Sequence, residues 1–321
     1  VISGGSGFVG CRLVNQLLID QEVTGIKILS RSKDLSQNRI MNEVLHKRSR
    51  PNCTFEVISW DPQNVTNELV KALEDTDVVF HLAGTSIFQK RWNASFKKEL
   101  IDSRVTSSRV LVYAIGKCNK RPKVIVSASG ISYYGDSGDN ILDETVKPGN
   151  DFLADLSVKW EAEVAKAEEF GLRTCFARIG IVLGQEGGAL QQMVPLFNWH
   201  IGGHVGSGKQ WFPWIHADDC ARALLFAAKN SNVIGPFNNV APNPVPMKEF
   251  CQQLATTTNR WSWAHAPYFV VNMLLGEVAA ATTTSLRGKP KVLEESGFEW
   301  EFPSLELALK ALFPDQNKND Q

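Results

Sequence analysis

The segment Gly4-Gly5-Ser6-Gly7-Phe8-Val9-Gly10 constrains this chain more than any other. It follows a short apolar run, Val1-Ile2-Ser3, and precedes Cys11–Asp20, where Leu13, Leu17 and Leu18 share one helical face. A glycine turn between a strand and a helix has a specific physical use. Gly4 permits the tight turn, Gly7 lets a pyrophosphate approach the backbone, and Gly10 lets helix and strand pack closely. The helix N-terminus then offers free N–H groups and a positive dipole end to phosphates. The loop residues Gly4, Ser6, Gly7, Phe8, Val9 and Gly10 are therefore candidate dinucleotide contacts.

A dinucleotide site that accepts an unphosphorylated ribose carries Asp or Glu at the end of the second strand, about 20 residues on. Here the second strand, Ile26–Ser30, runs into Arg31-Ser32-Lys33. No carboxylate stands there to accept the ribose hydroxyls. Arg31 can pair with a 2′-phosphate, with Ser30 or Ser32 adding a hydrogen bond, so NADP is the expected cofactor. Trp60-Asp61, after the third strand, is a candidate flank for the adenine.

Further apolar runs at Phe55–Ile58, Asp77–Leu82, Val124–Ser127 and Arg173–Ile181 alternate with helical stretches at Arg91–Lys117 and Asp151–Phe170. Gly171 stops the second of these. Strands that read as continuous apolar runs indicate a parallel sheet covered on both faces, an α/β doubly wound fold. After residue 185 glycine and proline punctuate the sequence, and apolar helical segments return near Met247–Thr256 and Tyr268–Ala281. The expected organisation is a cofactor-binding domain over 1–185, a smaller substrate-side lobe over 186–313 that interleaves with the sheet around 211–241, and a disordered polar tail at 314–321. Residues 31–52 suit a surface helix and loop.

The 321 residues carry 34 basic and 34 acidic side chains, so no basic surplus points to nucleic acid. The six cysteines contain no CxxC pair, which argues against structural zinc or a disulfide scaffold and for free thiols in a reducing, cytoplasmic setting. No apolar stretch approaches the roughly 20 residues of a membrane span. The chain opens at Val1 partway into a strand, so an N-terminal targeting address stays open.

Ordered motifs along the chain resemble the extended short-chain dehydrogenase/reductase superfamily, and more closely its YfcH-like epimerase-family subgroup. They are Gly84, Arg91-Trp92-Asn93, Ser103-Arg104, Tyr133-Tyr134-Gly135, Lys159-Trp160-Glu161, Pro213–Asp219, Phe237–Val245, Leu275-Gly276-Glu277 and Gly297-Phe298. The resemblance spans residues 1–313. It implies a Rossmann core, NADP binding and a C-terminal extension. It further implies that Leu82, Ala83 and Gly84 line the nicotinamide side and that Ser129 is the catalytic serine. Lys159 would be the lysine that binds the nicotinamide ribose, and Arg178–Gly184 would place cofactor and substrate. One departure is plain. The superfamily pairs this lysine with a tyrosine four residues earlier, one helical turn away. Here that position is Asp155, whose reference pKa near ~3.9 is far from the ~10 of a phenol. Tyr133 or Tyr134 is the candidate substitute phenol, with packing beside the cofactor as the alternative for the pair.

Two functions remain open on this reading. One is an NADP-dependent oxidoreductase or epimerase-like enzyme acting on a small carbonyl or alcohol, as a possible homodimer. The other is a non-catalytic NADP-binding sensor or interaction protein. Several lures are set aside. Gly203–Lys209 mimics a P-loop but continues into Gln210 without a helix. His200 and His204 have metal-like spacing with no third ligand nearby, so no metal is expected. In His216-Ala217-Asp218-Asp219, an Asp capping the next helix is the favoured reading. Trp211 and Trp214 are cleft-wall candidates.

Overall fold

The computed structural model describes residues 1–32, 41–42 and 52–314. Lys33, most of the basic stretch before Pro51, and the tail 315–321 lie outside the described residues. Seven parallel strands form one sheet: β1 (Ile2–Ser3), β2 (Gly25–Ser30), β3 (Thr54–Ser59), β4 (Val78–His81), β5 (Val124–Gly130), β6 (Arg173–Ile179) and β7 (Gly235–Asn239). Their order across the sheet is β3-β2-β1-β4-β5-β6-β7. The strand order reverses between β1 and β4, where a doubly wound sheet opens a crevice at its C-terminal edge.

Both faces are covered, which explains the apolar runs. On one face α1 (Phe8–Ile19) packs Cys11, Leu13, Val14 and Leu17 into a core shared with Ala221, Ala223 and Leu224 of Ala217–Lys229. On the other, α2 (Asn67–Leu73), α4 (Ser107–Gly116) and α5 (Phe152–Ala165) bury Leu69, Leu111, Ile115, Trp160 and Val164. The long stretch expected at 91–117 is α3 (Ala94–Ile101) and α4, joined by a π-helical turn at Asp102–Thr106.

The sixth strand is shorter than Arg173–Ile181. It ends at Ile179, and Gly180 follows, where a side chain would collide with the Pro213 carbonyl. Beyond it, Ile181–Gly184 leaves the sheet and pairs with Trp214–His216. This pair leads into a second core, where Trp214, Phe250, Leu254, Leu305 and Leu309 meet. β7 then carries the chain back to the sheet edge, so the substrate-side half is threaded through the Rossmann half. Among the described residues, no helix is long and apolar enough to cross a membrane.

Candidate active site at the C-terminal edge of the sheet

The glycine loop is built as its spacing requires. Gly4 adopts φ +73°, which favours glycine, and a side chain there would come within 2.8 Å of Ala83 N. At Gly10 a Cβ would overlap the Gly4 carbonyl and lie 2.7 Å from Gly5 Cα. At Gly7 a Cβ would meet only Gly4 O, at 3.2 Å, so the approach to this residue is open. Gly7 is also the N-cap of α1 and gives it no side-chain cap. The first-turn N–H groups and the dipole end are thus presented at the β1–β4 crevice, a fit for a pyrophosphate. The Phe8 ring fills the hollow formed by Gly184, Gly187 and Gly188, and Val9 packs on the core.

Around this loop, Ser30 ends β2; its carbonyl accepts from Trp60 N at 2.9 Å and its hydroxyl oxygen from Ser32 N at 3.2 Å. Arg31 is exposed beside them. Trp60 is buried, edge-on to His81 with ring centroids 6.2 Å apart, so it is a core side chain rather than an open wall. The Asp61 carboxylate accepts from Gln63 N and Asn64 Nδ2, which holds its pKa below the usual range and makes it a turn residue. Composition gave no hint of the bridge beneath. His81, wholly buried, spans Ser3 Oγ at 2.6 Å and Ser108 Oγ at 3.0 Å, tying β1 and β4 to α4. Burial pushes its pKa down to about 4.

Further along the edge, Ser129 donates to Glu161 Oε1 at 2.7 Å. Arg178, 3% exposed, grips both Glu161 oxygens at 2.9 Å and donates to Tyr134 Oη at 3.0 Å. Burial opposes the Arg178 charge, but the Glu161 and Tyr134 contacts outweigh it and raise its pKa. Tyr134 Oη donates to Asn238 Oδ1 at 2.8 Å, and burial pushes its pKa up to about 12. The Tyr133 ring lies 3.4 Å from Arg178 Cζ. Ser129, Tyr133 and Arg178 therefore come together, and Arg178 is spent inside the network rather than opened toward a cofactor.

Lys159 does not join them. Its ammonium pairs with Asp155 at 2.6 Å, and both side chains are more than half exposed. The reason is helical phase. Leu156, Trp160 and Val164 mark the buried arc of α5, and the neighbours on that arc are Ser157 and Glu161, not Asp155 and Lys159. Ser157 Oγ lies 3.7 Å from where a Gly130 Cβ would stand. The i, i+4 pair that faces the end of β5 is thus a hydroxyl and a carboxylate. The spacing of Leu156, Trp160 and Val164 in the sequence carries this frame.

The lures resolve. His204 and His265 pack ring to ring at 5.1 Å in a small two-stranded element. The cap on Ala217–Lys229 is the His216 side chain, accepting from Asp218 N, rather than an Asp. Asp219 instead binds the backbone of Glu301 and Phe302. Among the described residues, no group of three potential metal ligands occurs.

A family described as NAD dependent epimerase/dehydratase matches residues 1–241, and a domain of unknown function, DUF1731, matches 266–312. The chain is 36% identical over 314 residues to a chloroplastic SDR39U1 homolog of Arabidopsis thaliana, covering 97% of this chain and 85% of that one. It is 32% identical to the epimerase family protein YfhF of Bacillus subtilis, with 98% of each covered. A crystal structure of human epimerase family protein SDR39U1 with NADPH superposes with a TM-score of 0.82 at 31% identity, over 98% of each chain. A UDP-glucuronic acid 4-epimerase from Bacillus cereus, 17% identical with a TM-score of 0.77 over 99% and 98%, shares the fold.

Proposed function

The chain belongs to the NAD dependent epimerase/dehydratase family, and from that premise we propose that it binds NADP(H) and acts as an oxidoreductase or epimerase-like enzyme on a small carbonyl or alcohol. The observation that carries the cofactor is the uncapped α1 N-terminus at an open Gly7, with Arg31 where an NAD site would place a carboxylate. The human relative was crystallised with NADPH, which supports the same choice. Gly4, Ser6, Gly7 and the Phe8–Gly10 amides would hold the pyrophosphate. Arg31, with Ser30 and Ser32, would hold the 2′-phosphate. Leu82, Ala83 and Gly84 would border the nicotinamide.

When bound, the cofactor supplies hydride-transfer chemistry. The residues of this chain must then orient the substrate oxygen and handle its proton. Ser129 Oγ has lone pairs left to accept from a substrate hydroxyl, while its own proton is held by Glu161. Arg178 locks that carboxylate in place. The Tyr134 phenol is bonded within this cluster, and the Tyr133 ring lies against Arg178. The substrate is a small molecule, the assembly a homodimer, and the setting a reducing compartment such as the cytoplasm.

A second reading has a specific observation behind it. The α5 pair facing the site is Ser157 and Glu161, and neither is the phenol or ammonium the superfamily uses. That favours a cofactor-dependent binding protein without turnover. Titration of NADPH and NADH separates cofactor from chemistry. NADPH should bind at least roughly tenfold tighter, and Arg31→Ala should erase the preference, since a charge-assisted contact contributes about 1.5–3 kcal/mol. Equal affinities would sink the NADP choice. NADPH oxidation across a carbonyl panel then decides between enzyme and binder.

A further inference from the structure

The π-helical turn at Asp102–Thr106 carries Arg104 at the C-terminal edge of the sheet. The partly buried Arg12 and Arg222 and the buried Arg178 each hold a carboxylate, and Arg173 holds three backbone carbonyls. Among the described residues no carboxylate pairs with Arg104. Only its Nη1 is engaged, with Leu100 O at 3.4 Å and Ser103 Oγ at 3.3 Å. A guanidinium has five donors in a planar fork, so most of this one's capacity is unspent. Burial pushes its pKa down to about 10, the mark of a cation that has lost water without gaining an anion.

Its location gives this shortage a meaning. The guanidinium lies over Trp160 at 5.2 Å and against Gly84, just beyond the end of β4. A side chain at residue 84 would stand 3.3 Å from Arg104 Cζ and 3.4 Å from Nη2, so glycine there keeps this face of the fork uncovered. Single π-turns inserted between α-helices recur at functional sites because they re-aim side chains. This one aims a cation at the half of the crevice opposite the β2 end. On the proposed NADP reading, phosphates occupy the α1 and β2 side, which leaves the β4–β5 side to nicotinamide and substrate.

We propose that Arg104 is a substrate-binding residue and that the substrate carries an anionic group, a carboxylate or a phosphate, which the Arg104 fork receives beside Gly84. The class of substrate narrows accordingly to a hydroxy- or oxo-compound with an acidic group near the reacting carbon. This rests on the cofactor reading for its placement. The free guanidinium itself does not depend on it.

The test titrates acetate, malonate and inorganic phosphate into wild type, Arg104→Gln and Arg104→Lys, each with and without saturating NADPH, with chloride at matched ionic strength as control. Thermal midpoint is the readout, because a native-state ligand raises it by mass action. NADPH affinity is measured for all three proteins. The expected result is a saturable rise with at least one oxyanion in wild type, a midpoint concentration at least tenfold higher in Arg104→Gln, an intermediate value in Arg104→Lys, and unchanged NADPH affinity. Absence of the rise in wild type, or its survival unchanged in either variant, overturns the proposal. Loss of NADPH affinity in Arg104→Gln assigns the fork to the cofactor and overturns it as well. If wild type ignores NADPH yet keeps an Arg104-dependent anion response, the cofactor reading fails and the anion site stands. Arg104→Lys serves alone should Arg104→Gln not fold.

Discussion

At the scale of single residues, two ion pairs made from one helix differ sharply in weight. Glu161 is clamped between Ser129 and a buried Arg178. Glu161→Gln would strand the guanidinium in a low-dielectric site, and breaking a buried pair from one side costs about 3–5 kcal/mol. Lys159→Ala removes only an exposed i, i+4 pair, a change within about 0.5 kcal/mol. Urea unfolding of both variants checks the helical frame, and comparable losses would refute it. His81 adds a pH signature. Its pKa falls from an ordinary ~6.5 to about 4 in the folded protein. The unfolded chain takes up the proton first as pH falls, so the stability is full above about pH 6.5 and is lost progressively toward pH 4. The total approaches about 3 kcal/mol at 1.36 kcal/mol per unit. Unfolding free energy measured from pH 7 to 4 should show this slope, and His81→Asn should flatten that part of it.

At the scale of elements, the glycine loop separates stability from binding. Gly10→Ala puts a methyl into the Gly4 carbonyl and the Gly5 backbone. Neither neighbour is a flexible side-chain end, so the loop must rebuild, and both fold stability and NADPH response should fall. Gly7→Val meets little protein, so its melt without ligand should stay near wild type while the NADPH-induced shift disappears. A retained shift would mean that the pyrophosphate lies elsewhere. This loop was legible in the sequence because glycine spacing and a flanking strand and helix are local signals. So were six of the seven strands, the clearest being the buried apolar run Val124–Ser127; Gly235–Asn239, read as GPFNN, carries no such run. The inward face of α5 was harder to read for a physical reason. Motif spacing fixes which residues share a face, yet only packing fixes which face looks inward, and Leu156, Trp160 and Val164 outvoted the lysine. The His81 bridge was illegible because its partners, Ser3 and Ser108, lie 78 and 27 positions away.

At the scale of the whole molecule, sequence order and spatial order diverge after residue 180. A boundary near 185 follows the loosening of the apolar pattern, but the threading of β7 back into the sheet depends on contacts that no local pattern records. The C-terminal segment makes the same point. Leu293 and Phe298 belong to the core beneath the sheet, while Leu305 and Leu309 complete the second core. One buried carboxylate joins this segment to Ala217–Lys229. Asp219, fully enclosed, accepts from Glu301 N at 2.9 Å, Phe302 N at 2.8 Å and Arg222 at 2.6 Å. Asp219→Ala would leave two backbone N–H groups facing a vacated site and release the arginine. Losing a multiply bonded buried charge acceptor costs about 3 kcal/mol or more, which at this chain length corresponds to a fall in Tm of about 5 °C. Because the segment contributes side chains to both cores, the lowered melt should remain a single transition, with calorimetric and van't Hoff enthalpies in agreement. Two separated transitions in Asp219→Ala, with the Rossmann half melting at its wild-type temperature, would show instead that the extension is an independent unit and that its hold on the sheet is incidental.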